Sequence, residues 1–121
     1  MFNVKFDKAK NVLCITYSGR VGHTQARQCR EKLEAALTTV PTGFRLLTNL
    51  SDLEHMEVTC APEIEKMMDI CRDKGVATVV RVIPDPKKDI GFKLMSMFHY
   101  RHDVGVVTCE TMAEATKALA D

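Results

Sequence analysis

Residues 76–83 read VATVVRVI, from Val76 to Ile83, and this run decides the fold. It is nearly all β-branched and apolar, the composition of a central parallel strand covered on both faces. Pro84 and Pro86 break it. Immediately upstream, Gly75 suits the left-handed position that closes a helix, and Arg72 and Lys74 complement the negative end of the helix dipole. That helix is predicted from Thr59 or Cys60 to Lys74, with Ile64, Met67, Met68 and Cys71 on its apolar face.

The pattern repeats outward. Phe44 to Leu50 reads as a strand, preceded by a helix in which Ala26, Cys29, Leu33, Ala36, Leu37 and Val40 recur three or four apart. Thr24 is its expected N-cap, and Pro41-Thr42-Gly43 stops it. At the N-terminus Phe2, Val4 and Phe6 alternate with Asn3 and Lys5, the period-two mark of a half-buried strand. Val12 to Tyr17 follows after a turn so short that the two strands pair antiparallel, and Ser18-Gly19 ends the pair. Downstream, Asp89 to Phe98 reads as a short helix with Gly91 inside it, and Val104 to Thr108 as a last strand. Thr111-Met112-Ala113-Glu114 is a capping box opening a C-terminal helix with Met112, Ala115, Ala118 and Leu119 inward. The order is β-β-α-β-α-β-α-β-α. Helices alternating with strands imply parallel neighbours and right-handed crossovers, so an α/β domain with a mixed, mostly parallel five-stranded sheet is expected over residues 1–121.

Composition agrees. The chain has 121 residues, 45% hydrophobic and 27% charged, with 17 Lys and Arg against 16 Asp and Glu. A net charge of +1 argues against nucleic acid or an anionic membrane as main partner, since both select a basic excess. No apolar run approaches the roughly 18 residues that span a bilayer, and residues 1–10 alternate apolar with charged, unlike a signal peptide. A cytoplasmic location is expected. The five cysteines are an odd number with no C-x-x-C spacing, which fits buried thiols in a reducing compartment better than disulfides or structural zinc.

This order of elements, the Ser18-Gly19 ending, the segment from Leu46 to Pro62 and the closing Glu110 to Ala115 together resemble the STAS domain, the family of sulfate transporters and anti-sigma-factor antagonists. In bacterial antagonists of that family a loop reading Asp-Ser-Ser-Gly opens the helix after the third strand, and partner kinases phosphorylate its second serine. The loop falls here on Glu57-Val58-Thr59-Cys60, so the resemblance implies Thr59 as the phosphoacceptor. Only the acidic first position and the hydroxyl are kept in kind. Divergent relatives of the fold include some likened to the lipid-binding SEC14 domain. The family implies a non-enzymatic regulatory module acting on a kinase or anti-sigma-type partner, without a cofactor.

Few residues carry chemistry by pattern. Thr59 reads as a helix N-cap, as a phosphoacceptor at a helix N-terminus, or as a ligand contact. Cys60, next to it, would need His55 within reach to act as a nucleophile. His99 and His102 lie three apart, with Asp103 the only further local ligand, too few for a metal site. Lys87, Lys88 and Arg81 are scattered cations. No phosphate-cradling glycine loop and no catalytic or zinc motif is present. The expected interaction surface is the loop from Ser51 to Cys60, including Asp52, Glu54 and Glu57. A rival is a carrier of a small apolar or lipid-like ligand in a cavity lined by Met67, Phe92, Met95 and Phe98. Five large apolar side chains among residues 92–98 exceed what one helix face buries, which predicts a homodimer or partner contact at Met97 and Tyr100.

Overall fold

The computed structural model of the chain describes residues 1–84, 99–100 and 103–120. The VATVVRVI run forms β4 (Thr78–Val82), inside a five-stranded sheet of order β1-β2-β3-β4-β5. Its neighbours β3 (Arg45–Met56) and β5 (Gly105–Cys109) run parallel to it. β1 (Phe2–Asp7) and β2 (Val12–Val21) form the antiparallel hairpin, Phe6 opposite Leu13, and β2 is parallel to β3. Among the described residues the α-helices are α1 (His23–Leu37), α2 (Ala61–Lys74) and α3 (Met112–Leu119). The fold is thus the mixed, mostly parallel α/β architecture expected. The helix predicted over 89–98 lies outside the described residues.

Period two sorts the strands into two cores. Leu13, Ile15 and Tyr17 of β2, Leu46 and Leu50 of β3 and Val79 of β4 pack with α1 and α2. Val12, Leu47, Val80, Val82 and Cys109 face the other way and meet Ala115 and Leu119 of α3. β4 is therefore buried on both faces, as its composition requires. The strands follow one another in sequence order, and right-handed crossovers that always step the same way place their helices on one face. α1 and α2 obey this, so of the described helices only α3, eight residues long, covers the opposite face.

Several boundaries differ from the sequence reading. Ser18-Gly19 does not end β2: Gly19 takes φ 65°, the β2–β3 register shifts around it, and the strand continues to Val21. α1 is capped by Gly22 rather than Thr24, and it ends at Leu37 rather than Val40. β3 runs six residues beyond Leu50, so most of the expected loop from Ser51 is strand, paired to β2 through Val21↔Met56. In α3 Ala115 is buried, but Ala118 is exposed and Met112 is 38% exposed. The forward half of the capping box is present, the Thr111 hydroxyl accepting the Glu114 N–H at 3.2 Å, while the Glu114 carboxylate reaches one residue past the cap to accept the Glu110 N–H at 3.2 Å. Gly75 closes α2 in the left-handed region with φ 91°, as read.

Candidate functional site at the head of the second helix

β3 and α2 are joined by a turn that the β2–β3 pair holds in place. The Glu57 N–H donates to the carbonyl of Val21 (3.0 Å), and the Cys60 N–H to the carbonyl of Glu57 (3.0 Å). Residues Val58–Cys60 form one 3₁₀ turn, and Pro62 stands in the first turn of α2, where its missing N–H costs nothing. The Cys60 thiol donates inward to the carbonyl of Val21 at 3.5 Å. Anchored so, the turn presents Val58, 90% exposed, between exposed Glu57 and Thr59.

Thr59 does not cap α2, which has no side-chain cap. Its hydroxyl instead reaches back to Glu57 Oε2 at 3.4 Å. Glu57 in turn lies against Gly22, where a Cβ would meet Oε1 at 3.2 Å. The three residues stack in the order Gly22, Glu57, Thr59, and a group added to the Thr59 oxygen would act first on the Glu57 carboxylate.

Behind the turn is a group that sequence reading missed. Glu63, 4% exposed, bonds the Arg30 guanidinium through Oε2. Its Oε1 lies 3.8 Å from His23 Nε2 and 3.7 Å from Lys66 Nζ. The bond from Arg30 holds the Glu63 carboxyl below its ordinary value of 4.5, against the opposing effect of burial. Arg30 also bonds Glu34 at 2.6 Å. The network joins α1 to α2 directly beneath the turn. The signal for it was in the sequence: Glu63 stands four residues before Met67 and eight before Cys71, on the buried stripe, where a carboxylate requires a partner.

Other expected site residues are dispersed. Ser51 is half-buried and gives its hydroxyl to Asn49 Oδ1 at 2.6 Å. Asp52 and Glu54 are exposed on β3, and Asp52 stands opposite Ser18. Cys60 belongs to the core rather than to the surface, and burial pushes its thiol up, away from thiolate chemistry. His55 lies on β3 opposite Arg20, while the Cys60 thiol serves a carbonyl. Tyr100, 8% exposed, is a core residue and not the outward ring expected of it, and burial raises its hydroxyl far above the ordinary range. Arg81 is likewise inside, 2% exposed. His99 Nδ1 is 2.7 Å from Asp69 Oδ1 and Nε2 is 3.8 Å from Glu65, so its partners are on α2. Among the described residues no group of three His, Cys, Asp or Glu is placed to hold a metal ion. Met97, Lys87, Lys88, Phe92, Met95, Phe98 and His102 lie outside the described residues. Met67 borders a cavity of about 30 Å³ shared with Tyr17, Thr48, Arg81 and Tyr100, room for one water. No described helix is long and apolar enough to cross a membrane.

No family model matches the sequence, and no curated protein matches it. Solved structures do match the fold. A protein of the DUF3478 family from Shewanella loihica PV-4, described as having a SpoIIAA-like fold, superposes with a TM-score of 0.74 at 16% identity, over 99% of this chain and 93% of its own. The anti-sigma factor antagonist SpoIIAA in its unphosphorylated form gives 0.71 at 16% identity, over 98% and 97%. The Bacillus cell fate determinant SpoIIAA in its phosphorylated form gives 0.69 at 16% identity, over 99% and 100%. The likeness is one of fold and extends from end to end: the chain folds as a STAS-like domain of the SpoIIAA type.

Proposed function

We propose that the chain is a non-enzymatic regulatory module that binds a protein partner through the turn Glu57–Thr59, with Thr59 as the group a partner kinase modifies. The observation that carries the reading is Val58: a β-branched side chain 90% exposed on a turn pinned to Val21 of β2 by the Glu57 backbone N–H and the Cys60 thiol. A large apolar group held out in this way, between a carboxylate and a hydroxyl, suits a partner's pocket. Two solved structures of like fold, a SpoIIAA in each phosphorylation state, support the regulatory half of the reading.

The local geometry suits a switch. A phosphate on Thr59 Oγ1 carries about −1.5 to −2 charge and would stand against Glu57 Oε2, now 3.4 Å away. Like charges separate, so the Glu57 carboxylate is driven away from Thr59 and the acidic face of the turn is rebuilt. Five unbridged cysteines suit a cytoplasmic, reducing setting for such a module.

Peptide mass spectrometry of the chain recovered from its own cells, with and without phosphatase, is the test. Phosphate on Thr59, together with a bound partner that Val58→Glu releases at least tenfold without changing the melting temperature, is the expected result. A proven partner kinase that leaves Thr59 unmodified retires the switch; a partner indifferent to Val58→Glu retires the surface.

A further inference from the structure

The face of the sheet opposite α1 and α2 holds a groove of about 650 Å³ between the β1–β2 turn and α3, within the range of small-molecule sites. Two kinds of side chain line it, on opposite sides. Strand register fixes the floor: Lys5 stands beside Cys14 and Cys14 beside Leu47, while Val12 stands beside Arg45. Met112 and Leu119 of α3 form the far wall, and Lys5 and Lys10 the near rim. Arg45 ties the walls together, donating Nη2 to the carbonyl of Lys10 (2.7 Å) and Nη1 to that of Leu119. Among the described residues Asp7 is the one acid in this lining, and its Oδ1 is turned to the Lys10 backbone N–H at 3.2 Å. The groove therefore joins an apolar bed to a cationic rim.

We propose that this groove binds a medium-chain alkyl carboxylate, its head between Lys5 and Lys10 and its chain over Cys14, Leu47 and Met112. Charge complementarity selects the anion, and the apolar floor selects a chain. The site is independent of the turn at the head of α2 and lies on the other side of the sheet from the 30 Å³ cavity.

The protein carries its own reporter. Cys14 is half-buried in the groove, whereas Cys29, Cys60, Cys71 and Cys109 are buried. The experiment measures the alkylation rate of Cys14 by neutral iodoacetamide, read by peptide mass, against increasing decanoate. Decanoate is expected to slow labelling at least tenfold at saturation. Octanoate, two methylenes shorter, should need at least about fourfold more ligand, since each fully buried methylene is worth up to about fourfold. Exchanging the exposed lysines, Lys5→Glu with Lys10→Glu, should weaken protection by decanoate about tenfold. Equal protection by decylammonium, or by decanoate on the doubly exchanged variant, overturns the assignment, as does no protection at millimolar decanoate. Protection that grows with protein concentration alone would put a second copy in the groove and overturn it too.

Discussion

Arg30 of α1 and Glu63 of α2 form the ion pair that joins the two helices, the Arg30 Nε meeting Glu63 Oε2. Glu63 sits on the stripe that also carries Met67 and Cys71, so its charge is tolerated there only because Arg30, His23 and Lys66 surround it. Glu63→Gln keeps the shape and removes the charge. At neutral pH it should lower stability by roughly 1.5–3 kcal/mol, the worth of a hydrogen bond to a charged group, measured by urea unfolding.

The pH dependence of that loss follows from the direction of the shift. The Glu63 carboxyl is held below 4.5 in the folded chain, so its contribution is fully present above that value. It begins to fade as pH drops below 4.5 and is gone once pH passes the lowered folded value. Wild type and Glu63→Gln should therefore converge in melting temperature in acid. A gap between them that stays constant through the acid range would show that the charge is not what stabilises the pair.

Of the three threonines read as helix caps from sequence, Thr59 and Thr111 behave differently in the structure. Thr111 accepts the Glu114 N–H, so Thr111→Ala should cost about 1 kcal/mol. Thr59 caps nothing and is exposed, so Thr59→Ala should stay within about 0.5 kcal/mol of wild type. Parallel urea titrations of the two variants decide it. A Thr59→Ala cost equal to that of Thr111→Ala would restore a structural role to Thr59.

The same contrast marks what was legible in the sequence. β4 was plain because both faces are buried, and its composition says so without context. The second half of β3 was not, because its pairing with β4 ends at Asn49↔Val82 and, among the described residues, only β2 continues alongside. Leu53 and Met56 are half-buried there and His55 interrupts the alternation, so no clean period of two survives. Gly19 was read as a stop because a glycine after a serine usually ends a strand; here its positive φ absorbs a register shift instead. For the candidate site, sequence placed Thr59 and Glu57 at the junction of the third strand and the second helix, but the exposure of Val58 and the contact of Glu57 with Gly22 arise from tertiary packing that no local pattern encodes.

Burial should silence four of the five thiols. Cys71 is pushed up to about 12 by desolvation, and Cys29, Cys60 and Cys109 are moved the same way, burial first among the causes. Thiolate is the reactive form, so at mildly alkaline pH the native chain should give one fast thiol, Cys14, and the denatured chain five. Peptide mapping after a short alkylation pulse checks this. Cys60 labelling as fast as Cys14 would mean that the head of α2 opens readily, and the anchored turn would no longer hold.

Gly75 couples the end of α2 to the entry of two strands. Its φ of 91° lies in the left-handed region, and a Cβ there would stand 2.6 Å from Thr42 Cγ2. Its carbonyl accepts the Gly43 N–H at 2.8 Å, which brings the starts of β3 and β4 side by side and sets Arg45 opposite Thr78. Gly75→Ala thus meets two separable costs. Left-handed backbone costs an L-residue roughly 1–2 kcal/mol, and the clash adds to it. Thr42→Ser removes the methyl without touching the backbone, and Thr42 is exposed, so alone it should be nearly neutral. In the double variant only the backbone cost should remain, giving a favourable coupling in a double-mutant cycle. Urea midpoints for the four proteins measure it. Zero coupling would mean that the chain avoids the contact by shifting Gly75, and the Gly43–Gly75 bond would then not be what aligns β3 with β4.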